Sequence, residues 1–97
     1  MKIELLAEAV EDLIEGHSFY EEQQVGLGTY FLESLYSDIG SLQLYAGIHR
    51  KVHRRYRRML SKRFPFAVFY TVSTETIFIH AVVDCRRDPA WIRKKLQ

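Results

Sequence analysis

The segment RRYRRMLSKRFPFAVFYTV, Arg54 to Val72, decides how this chain folds. It begins with four arginines in five residues and ends in an apolar run that carries almost no charge. The second part, PFAVFYTV, is rich in β-branched and aromatic residues, and the proline at its start suits a strand edge. A second run of this kind, TIFIHAVVD at 76–84, follows the hairpin-sized loop STET. The two runs predict neighbouring antiparallel strands.

Length and composition limit the class of protein. The chain has 97 residues, which suits a single domain spanning 1–97, and 47% of them are hydrophobic while 27% are charged. Such a chain buries one core and has little room for a large cofactor cleft. It has no apolar run long enough to span a membrane, and acids interrupt its apolar start, MKIELLAEAVEDL, unlike a signal peptide. Its one cysteine, Cys85, cannot form an internal disulfide, so we expect a reducing, cytoplasmic location.

The two halves of the chain carry opposite charge. Residues 1–49 contain one lysine against nine acidic residues, a net charge of −8, and residues 50–97 contain thirteen basic residues against three acidic ones, a net charge of +10. Eight of the basic residues fall within 50–63, a density that repels itself unless something neutralises it. We therefore expect a polyanionic or acidic partner for the basic half, although an ordinary solvated surface is the alternative.

The other elements follow from periodicity. MKIELL alternates like a short strand, and apolar stripes predict a helical hairpin with helices from 7 to about 24 and from 27 to about 45, the second ended by Ala46–Gly47. The basic segment before Pro65 has both helical and strand spacing, and periodicity leans slightly towards a helix. Asp88 and Pro89 predict the N-cap and first residue of a short terminal helix. The predicted core faces are Val10, Leu13, Ile14, His17 and Tyr20 in the first helix, and Leu27, Phe31, Leu35, Ile39 and Leu42 in the second.

Several residue pairs resemble parts of catalytic or metal sites, and each has a simpler explanation. His49 and His53 have the spacing of a helical metal site, but no acid lies beside them and nearby arginines oppose a cation, so we interpret them as surface histidines. His80 and Cys85 point to opposite faces of an extended segment, which argues against a Cys–His nucleophile even though the following arginines would lower the thiol pKa. We predict no metal site and no cofactor. A solvated helix face explains the paired acids Glu11, Asp12, Glu21 and Glu22.

The basic residues are the strongest candidates for a binding site. They would track a phosphate backbone, and Tyr56 among them would stack on a base; an acidic protein is the other partner that suits them. Because an antiparallel pair folds back once, Arg86 and Arg87 should lie beside the start of the strand from Pro65. The predicted target-binding residues are Arg54, Tyr56, Arg57, Arg58, Lys62, Arg63, Arg86, Arg87 and Trp91.

The second half of the chain resembles the RelE/ParE superfamily of small toxins from bacterial toxin–antitoxin pairs. The acidic hairpin between Ala9 and Leu42 also matches in order and length, so the resemblance covers nearly the whole chain. It implies an α+β fold, in which an N-terminal helical hairpin packs on a small antiparallel β-sheet followed by a short C-terminal helix. It further implies that the basic segment is a strand in a sheet of four. The motifs that carry it are Arg57–Arg58, Phe64–Pro65–Phe66, Tyr70 and Arg86–Arg87–Asp88–Pro89.

The superfamily contains two mechanisms. RelE-type members look like ribosome-dependent endoribonucleases, which need basic residues at the scissile phosphate and a tyrosine or histidine for proton transfer. ParE-type members resemble them in fold and inhibit DNA gyrase by binding it. This chain has Ala67 where cleaving members often carry arginine, and Trp91 and Ile92 where they carry the proton-transfer residue, although Arg86 matches an arginine that helps them.

The resemblance therefore implies a ParE-like toxin of a plasmid-stabilisation system, which inhibits growth by binding gyrase and is neutralised by a cognate small acidic antitoxin. One alternative is a RelE-like endoribonuclease that cuts mRNA on the ribosome, with Arg57, Arg58 and Arg86 as its catalytic residues and Tyr56 or Tyr70 as a substitute base. The other is a non-toxic binding module of the same fold. The sequence leaves open whether the chain forms a homodimer.

Overall fold

A computed structural model describes residues 1–45 and 47–97. Ala46, one of the two residues predicted to end the second helix, lies outside the described residues. Asp88 caps the terminal helix as predicted, because its Oδ1 accepts a hydrogen bond from the Ala90 amide. The elements in chain order are β1 (Lys2–Leu5), α1 (Ala7–Gln23), α2 (Leu27–Gly40), α3 (Leu42–Tyr45), β2 (Lys51–His53), β3 (Tyr56–Leu60), β4 (Phe66–Val72), β5 (Thr76–Asp84) and α4 (Pro89–Lys95).

The strands form one mixed sheet in the order β1-β5-β4-β3-β2. β1 runs parallel to β5, and the other neighbours are antiparallel. The predicted α+β class, with a helical hairpin on a small sheet and a short terminal helix, is confirmed, and the basic segment is a strand. The sheet has five strands rather than four because β2 pairs with β3. It is mixed, rather than antiparallel as predicted, because β1 runs parallel to β5. Sequence reasoning missed β2 because KVH has no extended apolar alternation.

The sheet separates two clusters of buried side chains. The larger lies between the sheet and the α1–α2 hairpin, and the smaller lies between the sheet and α4. Five successive residues of β4, Phe66 to Tyr70, are buried, with Val68 and Tyr70 in the larger cluster and Ala67 and Phe69 in the smaller. A strand covered on both faces needs apolar residues at every position, which explains the uncharged run after the arginines.

The helix predicted from 27 to about 45 is interrupted at Ser41 and forms α2 and α3. Its predicted core face is confirmed, and that of α1 is partly wrong. Phe31, Leu35, Ile39 and Leu42 are buried, whereas Val10 and Ile14 of α1 are 40% and 60% exposed. Leu13 and Tyr20 are buried as predicted, and Ala9 and Gly16 complete the buried face. Gly16 explains why the buried face of α1 is rotated from the predicted one. A Cβ built there would lie 2.5 Å from Cε2 of Phe31, so the Phe31 ring packs against α1 where α1 has no side chain.

Two of the acids assigned to a solvated face join elements of the fold. The Glu21 carboxylate accepts hydrogen bonds from the amides of Gly26 and Gly28, at 3.0 and 2.9 Å, and so closes the α1–α2 turn. Asp12 accepts a hydrogen bond from the Val82 amide at 2.9 Å and pairs with Lys95 Nζ at 2.9 Å, linking α1, β5 and α4. Burial raises the pKa of the Asp12 carboxyl, although Lys95 opposes that shift. Glu11 and Glu22 are exposed, as predicted.

None of the helices among residues 1–45 and 47–97 has both the length and the apolar character needed to cross a membrane.

Candidate functional site

Strand β3 divides its arginines between the two faces of the sheet. Successive side chains of a strand alternate. Arg57 lies on the side of the helical hairpin, where its Nη1 donates to the carbonyls of His49 and Gly47, at 2.7 and 3.2 Å. Arg58 lies on the α4 side and is exposed. The arginine pair therefore has two roles, since Arg57 holds the chain before β2 and Arg58 points to solvent.

Arg58 borders a groove between the sheet and α4, which we call the basic groove. Its volume is about 250 Å³. Ala67 and Phe69 lie at its sheet side and Ile92 at its α4 side, while no acidic residue from the described part of the chain lines it. The basic side chains that border it are Arg58, Arg87 and Arg93, all of them exposed. The groove thus combines an apolar interior with a positively charged border.

The two arginines after β5 are held differently. The predicted position of Arg86 and Arg87 beside the start of β4 is confirmed. Asp84 pairs with Phe66, and the Cys85 amide donates to the Pro65 carbonyl at 2.8 Å. Arg87 lies over the Trp91 ring, 4.6 Å from its centroid, and borders the groove. Arg86 instead donates two hydrogen bonds to the Asp84 carboxylate, at 2.8 and 2.6 Å, although its side chain is exposed. This pairing lowers the pKa of Asp84 and raises that of Arg86.

The other predicted target-binding residues do not share one surface. Arg54 lies in the turn between β2 and β3 with a left-handed φ of 53°, whereas Lys62 and Arg63 are exposed beyond the other end of β3. Tyr56 is only 8% exposed, because it packs in the smaller cluster with its ring edge-on to His80. Its ring is therefore not presented to a stacking base. Of the predicted set, the structure brings only Arg58 and Arg87 together at the basic groove, and Trp91 contacts Arg87.

The candidate bases are enclosed. Tyr70 has no solvent exposure, and its hydroxyl lies 2.6 Å from Nδ1 of His49. Burial raises the pKa of Tyr70, and burial together with Arg57 lowers the pKa of His49. His49 is therefore a half-buried partner of a core tyrosine, which corrects its interpretation as a surface histidine. His80 is similarly engaged, with its Nε2 2.8 Å from Thr71 Oγ1, and burial lowers its pKa.

His53 and Cys85 line the basic groove without forming a catalytic pair. The Nε2 atom of His53 is buried and has no hydrogen-bond partner among the described residues. Burial raises the pKa of the Cys85 thiol, even though Arg58 acts in the opposite direction, so the expectation that nearby arginines would lower it is wrong. A thiol with a raised pKa is protonated at neutral pH and a poor nucleophile. Within the described residues, no three His, Cys, Asp or Glu side chains group closely enough to hold a metal.

Sequence reasoning missed Arg93 as a neighbour of the arginines before it. Pro89, Ile92, Arg93 and Leu96 are spaced by three and four residues, so they share one face of α4 and its end, and that face lines the groove. The helical spacing was therefore the available signal.

The fold matches that of a known toxin–antitoxin chain. No protein-family model and no curated protein matches the sequence. Among solved structures, the chain is similar to one from the "Chromosomal ParDE TA system from P. aeruginosa", with a TM-score of 0.80 over 87% of this chain and 95% of that chain. The two sequences are 17% identical, so the similarity shows a shared ParE-like fold.

Proposed function

We propose that this chain is the toxin of a bacterial toxin–antitoxin system, and that it acts in the cytoplasm by binding DNA gyrase. The observation that carries the proposal is a basic groove without an available proton-transfer group. Arg58, Arg87 and Arg93 are exposed along it, whereas Trp91 is packed against Arg87 and Ile92 contributes only aliphatic surface. Such a surface binds an acidic partner but does not expose the acid and base that phosphodiester cleavage needs.

The similarity to the ParDE chain and the division of charge support the same proposal. The basic half of this chain carries a net charge of +10, so a cognate antitoxin should present acidic residues to it. Two of the predicted target-binding arginines, Arg57 and Arg86, make hydrogen bonds within the chain. We therefore centre the gyrase-binding surface on Arg58 and Arg87, with Arg54, Lys62 and Arg63 as outlying contacts.

A ribosome-dependent endoribonuclease is the second candidate, and one observation favours it. His53 lies in the same groove as Arg58 and Arg87, and an imidazole beside guanidinium groups is a suitable general base for attack on a phosphodiester. We rank it second because Nε2 of His53 is buried. That nitrogen would reach a substrate only after the groove had opened.

The test is to induce the chain alone in bacteria and follow DNA and protein synthesis by pulse-labelling. Gyrase binding predicts that DNA synthesis falls first, and that Arg58→Ala with Arg87→Ala relieves the arrest. The matched control is Lys2→Ala with Lys94→Ala, which removes the same charge from exposed positions outside the groove. An earlier fall in protein synthesis, with mRNA cut inside translated codons and the cuts lost in His53→Gln, would establish the ribonuclease instead.

The antitoxin needs a separate test. A small acidic protein encoded beside this chain should restore growth when both are expressed, and it should co-purify with the chain. Absence of such a reading frame, together with normal growth on induction, would support a non-toxic binding module of the same fold.

A further inference from the structure

A second cavity lies between α1, the end of β5 and α4. Three aromatic residues line it, Phe19 of α1, Phe66 of β4 and Trp91 of α4, and we call it the aromatic cavity. Phe66 is buried, whereas the Phe19 and Trp91 side chains are about half exposed. The volume of about 320 Å³ lies at the lower end of the range of roughly 300–1,000 Å³ found for ligand pockets. The size and the aromatic walls therefore suit a small molecule with an apolar body.

Two of the three carboxylates that line the aromatic cavity are already neutralised within the chain. Asp12 pairs with Lys95, and Asp84 pairs with Arg86. The third, Glu15, is exposed and makes no ion pair with any described residue. One carboxylate of the cavity is therefore free to bind a cation.

Arg87 brings the opposite charge to the same cavity. Its guanidinium lies over the Trp91 ring, 4.6 Å from the centroid, and it makes no ion pair in the described part of the chain, with Glu15 or with any other acid. A guanidinium group binds a carboxylate through two parallel hydrogen bonds. Since Arg87 also borders the basic groove, it stands between the two cavities.

Both free charges act on the paired carboxylates of the aromatic cavity. Burial is the main cause of the raised pKa of Asp12, and the negative charge of Glu15 adds to it. Hydrogen bonding from Arg86 is the main cause of the lowered pKa of Asp84, and the positive charge of Arg87 adds to it. The cavity thus carries a negative charge from α1 and a positive charge from the turn before α4. A ligand with a single charge would balance one of them and leave the other without a partner.

We propose that the aromatic cavity binds a small zwitterion, an α-amino acid with an apolar side chain. The ammonium group of the ligand pairs with Glu15, its carboxylate pairs with Arg87, and its side chain packs against Phe19 and Phe66. The inference goes beyond the proposed function and stands whether or not the chain is a toxin, because it concerns binding of a free small molecule.

The binding can be measured with L-phenylalanine as the probe. It is titrated into the purified chain and followed by calorimetry and by the fluorescence of Trp91, the single tryptophan, which lines the cavity. Phenethylamine lacks the carboxylate of phenylalanine, and hydrocinnamate lacks its ammonium group. We expect each of them to bind about fivefold more weakly or worse, since each loses one charge-assisted contact and leaves one charge of the cavity unbalanced.

A substitution at Glu15 identifies the ammonium site. Glu15→Gln should weaken binding of phenylalanine about threefold to fivefold, a modest effect because the carboxylate is exposed. It should also weaken binding of phenethylamine and leave that of hydrocinnamate unchanged. The matched control is Glu11→Gln, which removes the same charge from an exposed position of α1 outside the cavity and should bind all three compounds as the unmodified chain does. Both side chains are exposed, so circular dichroism should show the variants folded.

Four results would overturn the proposal. The first is the absence of a saturable signal with phenylalanine, leucine or tryptophan. The second is binding of phenethylamine or hydrocinnamate as tightly as phenylalanine, which would indicate a site for a single charge. The third is equal weakening in Glu15→Gln and Glu11→Gln, which would indicate general charge attraction. The fourth is equally tight binding of acetyl-phenylalanine amide, which carries no charge and would indicate a site for a segment of another protein.

Discussion

Replacing Gly16 with alanine should destabilise the protein, although alanine is the better helix former. The substitution in mid-helix would by itself contribute about 1 kcal/mol of stability. Here the added Cβ would lie 2.5 and 2.6 Å from Cε2 and Cζ of Phe31. The Phe31 ring has no exposure, and it packs against Tyr20, Phe64 and Phe66 with centroids 5.2, 5.2 and 5.0 Å away. It therefore has no space into which to retreat.

The expected net effect follows from these opposing contributions. Overpacking of a well-packed core costs about 1–3 kcal/mol, and a contact this short with an enclosed ring places Gly16 at or above the upper end of that range. After the gain in helix propensity, we expect the free energy of unfolding to fall by about 2 kcal/mol and the Tm by about 10 °C. Gly40 is the matched control, because it is also helical and a Cβ there meets no atom within 4 Å. Gly40→Ala should therefore raise stability, by about 0.5 kcal/mol.

Urea unfolding followed by circular dichroism measures both variants. A double variant, Gly16→Ala with Phe31→Leu, should lose less stability than the two single changes added together, since the smaller side chain relieves the contact. If Gly16→Ala is as stable as Gly40→Ala, the close approach of α1 and α2 through Gly16 is wrong, and with it the explanation for the rotated face of α1.

Other predictions concern single polar contacts. Asp38→Ala should lower the free energy of unfolding by about 2 kcal/mol in urea titrations, because it removes a buried acceptor 2.7 Å from Ser61 Oγ; an unchanged midpoint would contradict this. Stability should fall as pH drops from 7 to 5, since His49 has a lowered pKa when folded and the unfolded chain binds the proton more readily; thermal melts of His49→Gln should show a flatter dependence. Arg57→Ala should lower the Tm by several degrees, about 1 kcal/mol, whereas Arg58→Ala should leave it unchanged; equal effects would contradict their separation by β3.

Local patterns predicted the elements whose signals are contained within a few residues. TIFIHAVVD at 76–84 is β5 residue for residue, and Asp88 followed by Pro89 begins α4 as expected. The basic segment was ambiguous by periodicity, which leaned slightly towards a helix because Tyr56 and Met59 are three residues apart. Its pairing with β4 resolves it as β3. The periodicity of residues 56–60 taken alone does not contain that pairing, which needs the neighbouring strand 66–72.

The candidate site was less predictable because side-chain partners are set by the tertiary structure. Nothing in the sequence distinguishes Arg57 from Arg58, yet one bonds to backbone carbonyls and the other borders the groove. Arg86 and Arg87 differ in the same way, through Asp84 and Trp91. A hydrophobic pattern counts apolar side chains, and glycine has none. The pattern therefore could not predict that Gly16 faces Phe31 and shifts the buried face of α1.

Because β3 places Arg57 and Arg58 on opposite faces of the sheet, changes at the groove and changes to the fold fall on different residues. Substitutions on the Arg58 side change the border of the basic groove and leave the larger cluster untouched. Those on the Arg57 side act on the chain before β2 and on the Tyr70 neighbourhood. Arg58 can therefore be replaced without loss of stability as long as Arg57 is retained, because the two side chains act on opposite faces of the sheet.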